Sequence, residues 1–148
     1  MRSPAELTTA FRAQGWKVTP QRQLLFRLLH GNHTHPSAEA LYLVASAQMP
    51  GISLRTVYQT LNDLAAMGEL QQLSIGAGSA RFDPNVDDHH HVVCRSCGDV
   101  RDVYVLAAAQ PVLDGLDGFQ VESTSIVLGG LCAPCASRPD PSANHQGD

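Results

Sequence analysis

Residues 83–97 read Asp-Pro-Asn-Val-Asp-Asp-His-His-His-Val-Val-Cys-Arg-Ser-Cys. Five carboxylate or imidazole side chains, Asp87 to His91, stand directly before a Cys-x-x-Cys pair. A second pair, Cys132 and Cys135, follows 35 residues after Cys97. Two chemistries meet here. Cys94, Cys97, Cys132 and Cys135 have the spacing of two zinc knuckles, each giving two thiolates to one tetrahedral ion. Gly98 and Pro134 are the small or loop-prone residues such turns use. Four thiolates leave no open coordination position, so this site is structural. In an extended segment His89 and His91 share one face, while His90 and Cys94 share the other. A second, exchangeable metal can then be held a few residues from the first. His33 and His35 are candidates to close it from the front of the chain.

Competing readings of the same residues fit less well. A zinc deaminase needs His-x-Glu ahead of its Cys-x-x-Cys, and no His here has a Glu two residues later. A thioredoxin-like redox motif explains neither the second cysteine pair nor the histidines. Buried or redox-active thiols are the plainer alternative to zinc. A metalloenzyme or metal carrier built on the His/Asp cluster is disfavoured, because no general base or nucleophile stands out beside it. It would also leave the helices described next without a use.

Those helices occupy the front of the chain. Ser3-Pro4-Ala5-Glu6 forms a capping box with Pro at the first helical position. Thr19-Pro20 opens a second helix and Ser37 a third. Ser53 caps a fourth, running to Gly68, whose apolar positions Leu54, Val57, Tyr58, Leu61, Leu64 and Ala65 hold helical spacing. Its other face carries Arg55, Thr56, Gln59 and Asn62, which hydrogen-bond and are nearly uncharged. Such a face is either solvated or a reader of base edges. In the second case Arg55 suits guanine, Gln59 adenine and Tyr58 a thymine methyl or sugar. Residues 70–75 and 80–83 then read as a hairpin around Gly76 to Ser79. Helices followed by a hairpin is the order of a winged helix-turn-helix, with Lys17, Arg22 and Arg81 as phosphate contacts.

After Asp83 the pattern changes to short strands near 90–94, 100–105 and 119–128. Residues 106–116 have helical composition interrupted by Pro111. From Ser137 the chain is Pro, Ser, Asn, Gly and Asp, a composition expected to be disordered. The expected fold class is α+β: a winged-helix order over 1–83, a metal-binding stretch of short strands over 84–136, and a tail over 137–148.

The 148 residues are 43% apolar, enough for a core, and no run approaches the roughly eighteen residues that span a membrane. Without a signal-like start, the expected compartment is the cytoplasm, where thiols stay reduced. The net charge of −4 is uneven. Residues 1–82 hold seven Lys/Arg against four Asp/Glu, and residues 83–148 three against ten. The front half therefore tolerates a polyanion and the rear half attracts cations.

Five segments together resemble the ferric uptake regulator (Fur) family of bacterial metal-dependent repressors. They are Val18 to Arg22, His35 to Ala38, Ser53 to Leu61, Ala80 to Asp83 and His89 to Gly98, completed by Cys132 and Cys135. The resemblance covers about residues 5–136. It implies a winged-helix DNA-binding domain over 1–83, a small α/β metal-binding dimerisation domain over 84–136, and a homodimer that represses transcription from a double-stranded DNA operator when metal is bound, and that is not an enzyme. It further implies a structural Zn(II) on the four cysteines and a regulatory Fe(II) or Mn(II), with Zn(II) able to compete, on His35, Asp83, His89, His91 and Asp102. Asp at both 83 and 102 is similar to the peroxide-sensing (PerR) branch, where iron-catalysed oxidation of a ligand histidine releases DNA; here the candidates are His35 and His89. The alternative is a repressor of the same family that senses the level of iron or zinc. A further site found in many members would fall on Asp88, His90, Ala109 and Thr124, two of which cannot ligate, so it is expected to be absent or weak.

Overall fold

Local sequence sets each helix boundary in the first half of the chain. Ser3 and Glu6 make the reciprocal capping box at the start of α1 (Pro4–Ala13), with Glu6 Oε2 accepting from the Ser3 N–H at 2.8 Å. Thr19 caps α2 (Pro20–Leu29), Ser37 caps α3 (Ala38–Gln48) and Ser53 caps α4 (Leu54–Ala66), each accepting a backbone N–H from the first turn. The exit from α4 is a Schellman turn. Gly68 takes φ +71°, its N–H reaches Ala65 O, and the Glu69 N–H reaches Leu64 O at 2.9 Å.

The structure, a computed structural model, describes residues 1–75, 78–105, 114–122 and 124–138. The chain divides into two units, Met1–Asp88 and His89–Asp148. In the first unit the four helices close on one apolar core, in which Leu7, Phe11, Phe26, Leu29, Val57 and Leu61 are fully buried. Phe11 anchors it by edge-on contacts with Phe26 and Trp16, at ring distances of 4.8 and 5.2 Å. The antiparallel hairpin of β1 (Gln71–Leu73) and β2 (Arg81–Asp83) follows, in register Gln72 to Phe82. Its strands are shorter than 70–75 and 80–83, and Gly76 and Ala77 lie outside the described residues. Phe82 plugs the core. On its other side β2 is laced to the loop before α3: Ser37 bridges Arg81, and the Phe82 N–H donates to Pro36 O at 3.0 Å.

The second unit is a three-stranded sheet in the order β4-β3-β5. The central β3 (His90–Cys94) runs antiparallel to β4 (Val100–Val103) and parallel to β5 (Val127–Gly130). A short helix, α5 (Ala133–Ala136), follows. The sequence expectations shift in three places here. The second strand stops at Val103 instead of 105. The third is realised only at its end and runs on to Gly130; Asp117 and Gly118, with φ of 32° and 90°, form a turn just before the expected strand. Ser137, expected in the tail, instead donates its hydroxyl to Ala133 O at 2.9 Å and finishes α5. Residues 106–113, with Ala109 and Pro111, and residues 139–148 of the expected tail lie outside the described residues. Among the described residues no helix is long and apolar enough to cross a membrane.

Candidate metal centre

The thiol cluster is built from two tight turns brought side by side by the parallel pairing of Cys94 with Gly130. Cys94 ends β3 and Cys97 sits in the turn after it, closed by the Gly98 N–H to Cys94 O bond at 2.8 Å. Cys132 is the N-cap residue of α5 and Cys135 lies inside it. The Cys132 N–H donates to Cys94 Sγ at 3.3 Å, and Cys97 Sγ stands 3.7 Å from Cys132 Sγ. All four sulfurs lie within 4.8 Å of one another, and none is in a disulfide. Zinc–sulfur bonds of about 2.3 Å in a tetrahedron put sulfurs about 3.8 Å apart. The residues fit a structural zinc.

The thiols are already biased for that ion. Backbone N–H groups of Cys132, Cys97 and Ser96 pull the Cys94 thiol down to about 6. The Cys132 thiol goes the other way. The Cys135 N–H favours its thiolate, but hydrogen bonds that the Cys132 S–H donates to the Cys135, Cys94 and Cys97 sulfurs, with desolvation, outweigh it and push it up to about 12. The Cys94 thiolate forms readily, while Cys97 and Cys132 hold their protons, because like charges cannot crowd together without a cation between them.

The harder donors fall in both units. In the second, His89 and His91 share a face, as the period of an extended chain requires. Their rings are 4.5 Å apart, with Nε2 atoms at 3.0 Å. Asp102 reaches the same place because β4 pairs it directly opposite His91. Its Oδ1 is 3.6 Å from His89 Nε2, and Tyr104 donates a long 3.5 Å hydrogen bond to its Oδ2. Two nitrogens bound at right angles with bonds of about 2.1 Å stand about 3.0 Å apart, so this pair fits one metal ion. His90 faces elsewhere, accepting on Nδ1 from the Ile126 N–H at 3.4 Å. In the first unit His35 Nε2 lies 3.5 Å from Asp83 Oδ2, both side chains almost fully buried. His35 holds φ +48°, a left-handed conformation uncommon outside glycine, and its carbonyl accepts from Arg81 Nη1 at 3.3 Å. The imidazole and carboxylate donors suit exchangeable Fe(II), Mn(II) or Zn(II), as the thiols suit permanent zinc.

Of the other sequence candidates, Arg55, Tyr58 and Gln59 are exposed on α4, and Thr56 bonds Ser53 Oγ at 2.9 Å near its start. Lys17 is exposed. Arg22, read from sequence as a phosphate contact, is engaged inside the unit. Its guanidinium pairs with Asp63 at 2.7 Å, reaches Lys17 O at 3.3 Å and lies over the Phe11 ring at 5.2 Å. Asp63 also accepts from Gln59 Nε2 at 2.8 Å. Sequence reasoning passed over Asp63, although Gln59 and Asp63 stand four apart on one helix, a legible signal. It also passed over Glu39, which no local pattern marks.

The description of the ferric uptake regulator family matches residues 13–128. A peroxide-responsive repressor, PerR, of Staphylococcus saprophyticus is 33% identical over 132 residues, covering 88% of this chain and 89% of that one. The Helicobacter pylori ferric uptake regulator, described as having three functional metal-binding sites, superposes with a TM-score of 0.72 at 18% identity, over 92% and 93% of the two chains. PerR of Streptococcus pyogenes superposes at 0.53 with 23% identity, over 91% and 94%. With a winged-helix order in front, a four-thiol zinc site behind and His/Asp donors in both units, the chain belongs to the ferric uptake regulator family.

Proposed function

We propose that the protein is a metal-dependent, DNA-binding repressor in the cytoplasm that senses peroxide. The observation that carries this reading is the donor set. His89 and His91 are served by a carboxylate, Asp102, and His35 by another, Asp83, with no thiol among them. In the proposal His35 and Asp83 join His89, His91 and Asp102 as ligands of one regulatory ion. The two units then take one relative orientation and present the two α4 helices of a homodimer to neighbouring half-sites. Ligation favours that state only by its differential affinity for it. Arg55, Thr56, Tyr58 and Gln59 read base edges, and Lys17, Arg22 and Arg81 lend charge toward phosphate. Iron held there would supply the oxidising chemistry when hydrogen peroxide arrives, and His35 or His89 would be the ring that takes up one oxygen. The modified ring is a poorer ligand, and DNA is released.

The test is duplex binding by protein loaded separately with Fe(II), Mn(II) and Zn(II), before and after micromolar peroxide, with intact mass on the same samples. The iron form alone is expected to lose DNA and gain one oxygen on a peptide holding His35 or His89. If every form keeps its DNA after peroxide and one metal tightens binding at a low free concentration, the protein senses the level of that metal. Imidazole and carboxylate donors also take zinc, the observation that favours this second reading.

A further inference from the structure

Tyr58 projects from the exposed face of α4, yet its hydroxyl is not given to solvent. It donates to Glu39 Oε1 at 2.5 Å, from one helix to the first turn of another. Glu39 is half-buried and stands two residues after Ser37, the N-cap of α3. The Tyr58 hydroxyl first, and then the backbone and the Ser37 and Ser79 hydroxyls, hold its carboxyl below the usual range. Tyr58 is raised in turn by donating to the Glu39 carboxylate. One carboxylate therefore ties the α4 face to the first turn of α3 through Oε1, while Oε2 is buried with no hydrogen-bond partner among the described residues.

A carboxylate is an odd group to find on a surface that meets a polyanion. Its charge repels phosphate wherever a duplex sits without making the intended contacts. Its hydrogen bond fixes the phenol ring before DNA arrives, so that a matched contact costs less ordering. The two effects have opposite signs for wrong and right sequences, which is how a binding surface gains selectivity without gaining affinity.

We propose that Glu39 is a positioning and specificity-determining residue, which orients Tyr58 for base reading and penalises duplexes that Tyr58 cannot match. This rests on the DNA-binding reading above. The test uses the full-length Mn(II)-loaded protein, a duplex enriched by it from a random library, and a scrambled duplex of equal length. Glu39→Gln keeps the shape and removes the charge. It is expected to weaken binding to the enriched duplex about tenfold, while binding to the scrambled duplex stays the same or tightens. Adding Tyr58→Phe to it should then cost nothing beyond Tyr58→Phe alone. Equal weakening on both duplexes, or additive losses in the double variant, would overturn the proposal. A second readout needs no DNA. Phenolate absorbance across alkaline pH should lose the raised phenol in Tyr58→Phe and show it at lower pH in Glu39→Gln. An unchanged phenol in Glu39→Gln denies the contact and the proposal with it. A shifted phenol with no duplex enriched at all leaves the contact standing and instead removes the DNA-binding reading, and with it Glu39's role.

Discussion

Cys94 and Cys132 pull the same cluster in opposite directions as pH changes. With its thiol lowered to about 6, Cys94 favours the fold as a thiolate; that contribution is full above the ordinary thiol range and fades as pH falls through about 6. Cys132, raised to about 12, favours the fold as a thiol, fully below the ordinary range and less as pH rises toward about 12. Zinc resolves the conflict only while all four sulfurs are deprotonated, so acid competes directly with the ion. Zinc transfer to a coloured chelator is expected to be slow at neutral pH and to accelerate as pH falls from neutral into the acid range. Release that does not change across that interval would speak against a thiolate site. At this scale the sequence was legible where chemistry depends on spacing alone: the two Cys-x-x-Cys pairs, and the alternation that puts His89 and His91 together and His90 apart. Asp102 was not legible by spacing, because what brings it to His91 is a cross-strand pairing; only the family resemblance pointed to it. Glu39 and Tyr58 lie 19 residues apart on different helices, so no local pattern joins them.

The helices were legible nearly to the residue because their ends are written in side chains. Ser3, Thr19, Ser37 and Ser53 each cap the helix that follows. Removing one cap and removing one core side chain should therefore separate cleanly in size. Ser53→Ala is expected to lower the unfolding free energy of the first unit by about 1 kcal/mol, and Leu61→Ala, fully buried in the core, by about 2–5 kcal/mol. Urea unfolding followed by circular dichroism measures both. A loss from Ser53→Ala as large as that from Leu61→Ala would mean that α4 is held by its cap more than by its packing. Strands were less legible. Along β3 burial does not alternate, because Cys94 turns inward to its sulfur cluster while Val92 and Val93 are both half-buried. Strand β5 exists through parallel pairing with β3, a non-local cause, and includes two glycines that carry no strand signal of their own.

At the scale of the whole molecule, the second unit leaves apolar side chains in water. Phe119 is 80% exposed and Val127 and Leu128 about half, the last two on β5, an outer strand of the sheet. In the proposed homodimer a second copy covers such surface. Leu128→Asp is then expected to yield a monomer by light scattering that retains one zinc per chain and loses tight duplex binding. A dimer that survives this substitution would place the interface elsewhere. The change from helical to strand pattern after Asp83 was legible, since it is a change of period. The extent of the apolar surface was not, because exposure belongs to the folded sheet. The lacing of β2 to the His35 loop has a consequence for how such a protein can diversify. Backbone bonds from Phe82 to Pro36, and from the Arg81 side chain to the His35 carbonyl, clamp the register of β2, and a slip by one residue would turn Phe82 out of the core and carry Asp83 away from His35. The loop between β1 and β2 lies outside that clamp. Its length and composition can drift, or be exchanged by graft, and in the proposed repressor new operator preferences can be tried there while the metal ligands stay where they are.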